Sequence, residues 1–300
     1  MNNIKTKIIS NNCTNIIKID LEKNYVIIHT NKNKYLLKKG SKEDRDNRLY
    51  LSQSGYQDKM ILVDADFEYE LYLLEEKSFP GNVQNTMLDE LFKIHKSTTS
   101  IVNVSDEEKS NIYKNAVNRL DELFNYYYNW QISIQEKIFP SAGEYLLLLN
   151  VSKIYKLLNY SRSYLEKWYV LDNISFREAF LVNNISLNNY YAGEVFIDYS
   201  NSSVGKIIEE ITNYYRNYYE NVSLEEVLDK YDLLEAEKYY LFFLLAMPKE
   251  IFFTYDNYND VVLIRDIIDY SDCLLDYFLK EDKKYQEADQ HKFKEEDNNI

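Results

Sequence analysis

The chain has 300 residues, of which 45% are hydrophobic and 28% charged, and its formal net charge is −14. This composition is typical of a folded globular protein, and the negative charge disfavours nucleic acid and anionic membranes as partners. The first twenty residues lack a signal-peptide-like apolar run, and the apolar stretch Tyr239–Met247 is too short to cross a bilayer. A cytosolic protein without membrane insertion is therefore expected.

The opening part of the chain has the pattern of short β-strands. Three runs of β-forming residues are separated by polar turns and predict an antiparallel meander: Ile16–Ile19, Tyr25–His29 and Tyr35–Lys39. The polar stretch 41–54 predicts a short exposed helix, and Ile61–Val63 and Tyr69–Leu74 predict two further strands. Five strands with one helix between the third and the fourth predict a small β-rich lobe at 1–79.

After Phe79–Pro80–Gly81 the apolar period changes from 2 to 3.6, which indicates helices. The helical lobe is expected at 80–280, with a loop and short strand inserted at 182–200. The residues from Ser175 onward are interpreted as the end of the helix before this insert, and Val195–Asp198, within it, as a strand. The polar tail at 281–300 predicts disorder. The fold class that these elements favour is α+β, with an antiparallel five-stranded lobe and a large helical lobe.

Three segments resemble a known family: LDELFKIHKSTTS (88–100), VFIDYSNSSVGKIIEEITNYYR (195–216) and LLEAEKYYLFFLLAMPKEIFFTYDNYND (233–260). They are similar to the aminoglycoside-phosphotransferase-like group and, within it, to the spore-coat-associated CotS and YutH branch. The resemblance implies a bilobal protein-kinase-like fold. It also implies a role in building the spore envelope, with other coat or envelope proteins as partners, in the mother-cell cytoplasm or the spore coat.

The catalytic loop departs from the family pattern. Active members carry H-G-D-x-x-x-x-N, whose Asp accepts the proton of the acceptor hydroxyl and whose Asn helps to hold magnesium. The matching stretch VNNISLNN places Val182 at the His, Asn184 at the Asp and Asn189 at the Asn. An amide cannot accept the proton, so the resemblance implies that no catalytic residue is intact.

Two further observations support the interpretation that the catalytic loop departs from the family pattern. The only histidines are His29, His95 and His291, so no histidine leads the loop in any alignment. The acidic residue that opens the following helix in the family falls near Ile207. His95 itself lies on an apolar helical face, where a packed, hydrogen-bonded core histidine is the favoured interpretation.

The oxygen ligands that Mg²⁺ prefers define the remaining candidates. Asp198 is a candidate magnesium ligand or its remnant, against an aspartate that caps a strand end. Asn189 with its neighbour Asn188 is a candidate second ligand, against an ordinary polar loop residue. In both cases the alternative stays open.

Lys38 is the candidate phosphate contact, against an ordinary edge lysine. Strand alternation places it on the same face as Leu36. Its customary partner would be a helix glutamate, and Glu43, the only glutamate between Gly40 and Phe67, comes too early for a well-formed pair. This observation also disfavours catalysis.

Three hypotheses follow. The first is a pseudokinase that acts as an assembly or interaction protein and needs no cofactor. The second is a divergent but active phosphotransferase that uses ATP and Mg²⁺, and the third is a helical interaction protein with an unrelated β domain. An open cleft between Lys38 and Asp198 favours nucleotide binding, whereas side chains of Tyr190, Tyr191 and Phe196 that fill this space favour a scaffold.

Overall fold

The computed structural model describes residues 3–22, 24–66, 68–74, 81–191, 195–254 and 256–297, with side chains from residue 8 to residue 283. Strands dominate the described part of the first 74 residues, and helices dominate the rest. The elements are α1 (Asn3–Asn12), β1 (Ile16–Leu21), β2 (Tyr25–Thr30), β3 (Lys34–Lys39), α2 (Lys42–Gln53), β4 (Met60–Ala65), β5 (Tyr69–Leu74), α3 (Val83–Thr98), β6 (Ser100–Asn103), α4 (Asp106–Gln135), α5 (Ala142–Val170), β7 (Ser175–Leu181), a 3-10 turn (Leu187–Asn189), β8 (Tyr190–Tyr191), β9 (Val195–Phe196), β10 (Ser203–Lys206), α6 (Ile207–Tyr218), α7 (Leu224–Tyr231), α8 (Glu235–Ala246) and α9 (Asn257–Asp297).

The first five strands form one antiparallel sheet in the order β1-β2-β3-β5-β4. The helix α2 connects β3 to β4, and Ser41 caps its first turn by accepting a hydrogen bond from the backbone N–H of Asp44. The predicted five strands, the helix between the third and the fourth, and the α+β class are confirmed.

Two apolar clusters cover the two faces of this sheet. One cluster contains Val26, Ile28 and Leu37 of the sheet together with Ile8 and Ile9 of α1. The other contains sheet residues such as Leu36 and Tyr72 and adds Val195 and Ile197 from the segment after β8. The helix α1 was not predicted, because its sequence NIKTKIISNN is polar and only its packing against the sheet identifies an apolar side.

The prediction that a helix ends at Ser175 is wrong, because β7 occupies this position. It pairs antiparallel with β10, with Leu181 opposite Ser203 and Glu178 opposite Lys206. The triplet Arg-Glu-Ala at 177–179 favours a helix locally, but strand pairing overrides this propensity. The predicted strand Val195–Asp198 is shorter than expected, since β9 ends at Phe196 and pairs only with β8.

The chain divides into two compact units, Met1–Ser100 with Arg177–Glu210 and Ile101–Phe176 with Ile211–Ile300. In the second unit α5 is central, because α4, α8 and α9 all pack against it. Ser223 and Glu226 form a capping box at the first turn of α7. The predicted limits 1–79, 80–280 and 281–300 stay predictions, and Phe79 and Pro80 lie outside the described residues.

The last helix, α9, continues into the polar tail as far as Asp297, across most of the range for which the sequence predicts disorder. None of the helices in the described part of the chain has an apolar stretch of the length that a bilayer requires.

Candidate functional site

A cavity of about 650 Å³ opens within the first unit, between the β2–β3 region of the sheet and the segment 184–200. Small-molecule sites have volumes of roughly 300–1,000 Å³. All four residues singled out from the sequence line this cavity: Lys38, Asn184, Asn189 and Asp198. The structure therefore brings the candidate site residues together around a space that can hold a ligand.

The three aromatic residues named for the alternative of a filled space, Tyr190, Tyr191 and Phe196, do not line the cavity. The ring of Tyr190 packs against that of Phe196, with centroids 4.9 Å apart, and both residues are buried. The ring of Tyr191 makes an edge contact with Tyr25, at 6.4 Å. These contacts leave the space between Lys38 and Asp198 open.

Lys38 faces the cavity from β3, on the same side of the strand as Leu36, as alternation predicts. Its ammonium lies 2.5 Å from Oδ2 of Asp44 and donates a hydrogen bond to the carbonyl of Ile197 at 2.9 Å. Burial and the neighbouring Arg48 lower the pKa of Lys38, and Asp44 opposes this shift. The lysine is thus fixed between the sheet, α2 and the segment that carries Asp198.

The acidic partner of Lys38 is Asp44, which the sequence analysis missed because it considered only glutamates. The prediction that Lys38 lacks a well-placed partner is wrong. Glu43 is exposed and accepts a hydrogen bond from the Ser41 hydroxyl, whereas Asp44 is completely buried one residue later. Its Oδ1 accepts the backbone N–H of Tyr199 at 2.7 Å. Asp44 therefore connects α2 both to β3 and to the chain after Asp198.

Arg48, one helical turn after Asp44, completes this buried charge cluster. Its Nε donates to Asp44 at 2.9 Å, a second guanidinium nitrogen pairs with Asp58, and a third donates to the Ile197 carbonyl at 2.6 Å. Burial raises the pKa of the Asp44 carboxyl, but Arg48 and Lys38 outweigh this effect, so the pKa lies below its ordinary value. The two cations and two carboxylates of the cluster compensate one another.

Asp198 lies directly after the Ile197 carbonyl that Lys38 and Arg48 hold. Its Oδ1 accepts hydrogen bonds from the backbone N–H and the hydroxyl of Ser200, at 3.0 and 2.5 Å. Within the described residues Oδ2 makes no hydrogen bond, and the residue lines the cavity. A half-buried carboxylate with one oxygen fixed and one oxygen available suits a hard cation.

Asn189 connects the loop that contains Asn184 to the segment that contains Asp198. Its Nδ2 donates to the carbonyls of Asn184 and Asp198, at 3.0 and 2.9 Å, and its Oδ1 accepts the backbone N–H of Asp198 at 2.8 Å. Both the nitrogen and the oxygen of this side-chain amide thus form hydrogen bonds with backbone groups. Its oxygen retains one lone pair, so the metal-ligand role remains a prediction beside a bridging role that the structure provides. Asn188 also lines the cavity.

Asn184 presents a side-chain amide to the cavity. Its Oδ1 accepts a hydrogen bond from the Ser186 hydroxyl at 2.9 Å, and both residues line the cavity. A neutral side-chain amide accepts hydrogen bonds but does not take up a proton at ordinary pH. Among the described lining residues, the only carboxylates are Asp198 and Glu22.

The loop before Asn184 is held by a buried pair. Glu210 of α6 accepts the backbone N–H of Asn183 at 2.6 Å through Oε1, and its Oε2 lies 2.8 Å from Nε2 of His95. His95 and Glu210 are each 2% exposed, so the packed, hydrogen-bonded histidine is confirmed. Sequence reasoning placed the acid position of this helix at Ile207, which is an apolar core residue; the buried acid is Glu210, three residues later.

No group of three or more His, Cys, Asp or Glu side chains that could hold a metal ion occurs in the part of the chain that the structure describes. The cavity instead combines two carboxylates, Asp198 and Glu22, with amides, hydroxyls and the ammonium of Lys38, which is paired with Asp44. Such a set can share a divalent cation with the oxygens of an anionic ligand, as magnesium sites with few protein carboxylates do.

No family model matches the chain, and no curated protein matches it. Among solved structures it is similar to an aminoglycoside phosphotransferase from Alicyclobacillus acidocaldarius, with 12% identity over 93% of this chain and 95% of that one and a TM-score of 0.61. Choline kinase LicA from Streptococcus pneumoniae gives 16% identity, coverage of 89% and 97%, and a TM-score of 0.41. An ethanolamine kinase from Plasmodium vivax gives 12% identity, coverage of 87% and 80%, and a TM-score of 0.35. The first of these establishes the fold: the chain has the protein-kinase-like fold of an aminoglycoside phosphotransferase.

Proposed function

We propose that this protein is a pseudokinase: a kinase-like protein that keeps a nucleotide-sized cavity but has lost its general base. The observation that carries the proposal is the amide of Asn184 in a cavity that also contains Lys38 and Asp198. Because the cavity is open, this proposal differs from that of a scaffold in which side chains fill the space between Lys38 and Asp198.

The residues present fit a nucleoside triphosphate with Mg²⁺. Asp198 would hold the cation through its available carboxylate oxygen, and Lys38 would contact the phosphates, as the paired lysine does in protein kinases. When bound, the cation would neutralise phosphate charge. Asp44 holds the ammonium of Lys38 at the cavity wall, and Asn189 holds Asp198 beside the loop of Asn184.

Transfer of the phosphoryl group to a hydroxyl requires a group that orients the hydroxyl and accepts its proton. Asn184 can do the first by hydrogen bonding but not the second. Its oxygen accepts a hydrogen bond from the hydroxyl of Ser186. The lack of a proton-accepting group at residue 184 favours a protein that binds a nucleotide without turning it over.

We further propose that the protein acts as an assembly or interaction protein of the spore coat or envelope, located in the mother-cell cytoplasm or in the coat itself. The resemblance of segments 88–100, 195–216 and 233–260 to the CotS and YutH branch supports this assignment. Other coat or envelope proteins are the partners it implies. The net charge of −14 disfavours nucleic acid.

Binding and turnover measured on one preparation test the proposal. Mg²⁺-ATP should raise the melting temperature, because a ligand that binds only the native state stabilises it by mass action. No phosphorylated product should form with a panel of small hydroxylated compounds. Absence of binding at millimolar ATP would contradict the nucleotide site, and product formation that Asn184→Ala leaves unchanged would contradict the pseudokinase.

A divergent active phosphotransferase is the second candidate, favoured by the open cavity and by the formed Lys38–Asp44 pair. It needs a base other than residue 184. Among the described lining residues, Glu22 in the β1–β2 turn is the carboxylate left for that role once Asp198 holds the cation. In this case Glu22→Gln abolishes product formation while Mg²⁺-ATP still raises the melting temperature.

A further inference from the structure

The strand β1 forms one edge of the five-stranded sheet, and no strand in the described part of the chain pairs with its outer side. Large apolar side chains on this strand are exposed: Ile17 is 72% and Leu21 is 74% exposed, and Ile16 and Ile19 are each 40% exposed. Edge strands of soluble proteins usually carry charges, proline or a cover that prevents pairing with another chain. In β1 only Lys18 and Asp20 are charged, and the strand contains no proline.

The described side chains of α1, from Ile8 onward, pack on a neighbouring part of the sheet. Val26 and Ile28 of β2 are buried in the cluster to which these α1 side chains contribute. Their direct cross-strand partners, Leu21 and Ile19, lie on the same face but remain exposed. Among the described residues, the apolar face of the sheet thus continues to an exposed edge.

The sequence of β1, IIKIDL, is complementary to itself when two copies run antiparallel about Ile19. In this register Ile19 lies opposite Ile19, and Ile17 lies opposite Leu21. Lys18 lies opposite Asp20 at both symmetry-related positions. Opposite charges and apolar pairs that face each other across neighbouring strands stabilise their pairing.

Other registers lose this match. A shift by one residue places charged residues opposite apolar ones and moves the side chains to the other face. Centring the pair on Lys18 or on Asp20 places like charges opposite each other, as a parallel pair also does. The irregularity of β1 against β2 lies between Ile16 and Lys18. The regular part, Lys18–Leu21, therefore carries the Ile19–Ile19 and Lys18–Asp20 pairs, whereas Ile17, which faces Leu21 at each end, lies at the irregularity.

We propose that β1 pairs with β1 of a second copy of this chain, about a two-fold axis at Ile19, to form a dimer with a continuous sheet. A two-fold axis uses the same patch on both copies and closes the assembly at two subunits. Within one chain Asp20 bonds Lys18 at 2.8 Å and His29 at 3.0 Å. In the dimer Lys18 reaches Asp20 of the second copy while His29 retains its own Asp20.

Sedimentation of the full chain gives the direct test. The expected mass is twice the 36.0 kDa of one chain. Ile19→Lys places two lysines opposite each other and should give a monomer, whereas Ile61→Lys on the other edge strand, β4, should remain a dimer; Ile61 is 49% exposed. A wild-type monomer, or a dimer that Ile61→Lys dissociates and Ile19→Lys does not, overturns the proposal.

Charge-reversal variants distinguish a loss of pairing from a loss of folding, because a second reversal should restore the pairing. Lys18→Asp and Asp20→Lys should each weaken dimerisation roughly tenfold, because each replaces two symmetry-related ion pairs by like charges. The double variant Lys18→Asp/Asp20→Lys should restore the dimer. Ile19→Cys should form a disulfide between copies above the wild-type background from Cys13 and Cys273. Failure of the double variant to recover, with no Ile19→Cys cross-link, contradicts this register.

Discussion

The ammonium of Lys38 and the carboxylate of Asp44 form a buried ion pair, with Nζ 2.5 Å from Oδ2 and side chains that are 5% and 0% exposed. This pair joins β3 to α2. In protein kinases a lysine on the third strand must pair with an acidic residue of the following helix before phosphates can bind productively. Here the acid is an aspartate in the first turn of α2, and the pair holds Lys38 at the edge of the cavity.

We predict that Asp44→Asn destabilises the protein by about 3–5 kcal/mol, because it leaves the buried charges of Lys38 and Arg48 without their shared partner. Unfolding in urea, followed by circular dichroism, measures this change. The matched control is Glu43→Gln, which alters an exposed carboxylate next to it and should change the free energy of unfolding by less than roughly 0.5 kcal/mol. Equal effects of the two variants would contradict the role of Asp44.

The contribution of Asp44 should disappear in acid. Because the pKa of Asp44 is lower in the folded chain than its ordinary value, the folded state binds fewer protons, and its stabilisation is complete above the unfolded-state pKa of about 3.9. It is lost as the pH falls through the folded-state pKa below that value. The difference in free energy of unfolding between wild type and Asp44→Asn should therefore be constant near neutral pH and shrink below pH ~4. A difference that does not change down to the acid transition contradicts the assignment.

Glu210→Gln should loosen the loop that contains Asn184. The carboxylate accepts the backbone N–H of Asn183 and contacts His95, and hydrogen bonds to a charged group contribute about 1.5–3 kcal/mol. We expect a loss of that size, with faster amide hydrogen exchange at Asn183. Glu209→Gln alters the exposed neighbouring residue and should leave both measurements unchanged. An Asn183 amide that exchanges equally fast in both variants would refute the anchor.

Asp198→Asn should remove the response to Mg²⁺-ATP. At a free ligand concentration 100 times the Kd, binding stabilises the native state by about 2.7 kcal/mol, and this rise should be lost with the cation ligand. Asparagine keeps the oxygen that accepts from Ser200, so the fold should persist. The control is Asp46→Asn, at an exposed position on α2. A thermal shift that survives Asp198→Asn would mean that the cation is held elsewhere.

Several features of the site could be predicted from the sequence. Alternation along β3 places Lys38 on the face of Leu36, and the structure has it there. The apolar run before Asp198 predicts a strand, which is present as β9 but ends at Phe196, before Ile197 and Asp198 reach the cavity wall. The apolar helical face around His95 predicts a buried histidine. Each prediction rests on a local periodicity, which tertiary contacts reinforce.

The two acidic partners were missed for different reasons: Asp44 because only glutamates were considered as partners of Lys38, and Glu210 because its partner His95 lies far away in sequence. Asp44, Arg48 and Leu51 share one face of α2, at spacings of four and three residues, so a charged pair beside a buried leucine was the available signal. Glu210 lies between Ile207 and Tyr214 at helical spacing, which places a carboxylate on the apolar face of α6. A charge at an apolar position predicts a buried partner, but only the fold identifies that partner as His95.

The strand β7 and the helix α1 were also not predicted, because contacts with distant segments decide their structure. The residues Arg177–Ala179 favour a helix and become a strand because β10 pairs with them. The polar α1 becomes a helix that is packed through Ile8 and Ile9. In both cases a distant segment decides the local structure, and no short window of sequence contains that segment.

We propose that the cavity holds a nucleotide and that the amide of Asn184 stands where phosphoryl transfer needs a proton acceptor. The most direct measurement is ATP-dependent phosphorylation of a panel of small hydroxylated compounds by the wild type, Asn184→Ala and Asn184→Asp. A positioned general base contributes roughly 10²–10⁴-fold to such a reaction. We predict no product from the wild type or from Asn184→Ala, and measurable product from Asn184→Asp. Phosphorylated product from the wild type would contradict the proposal.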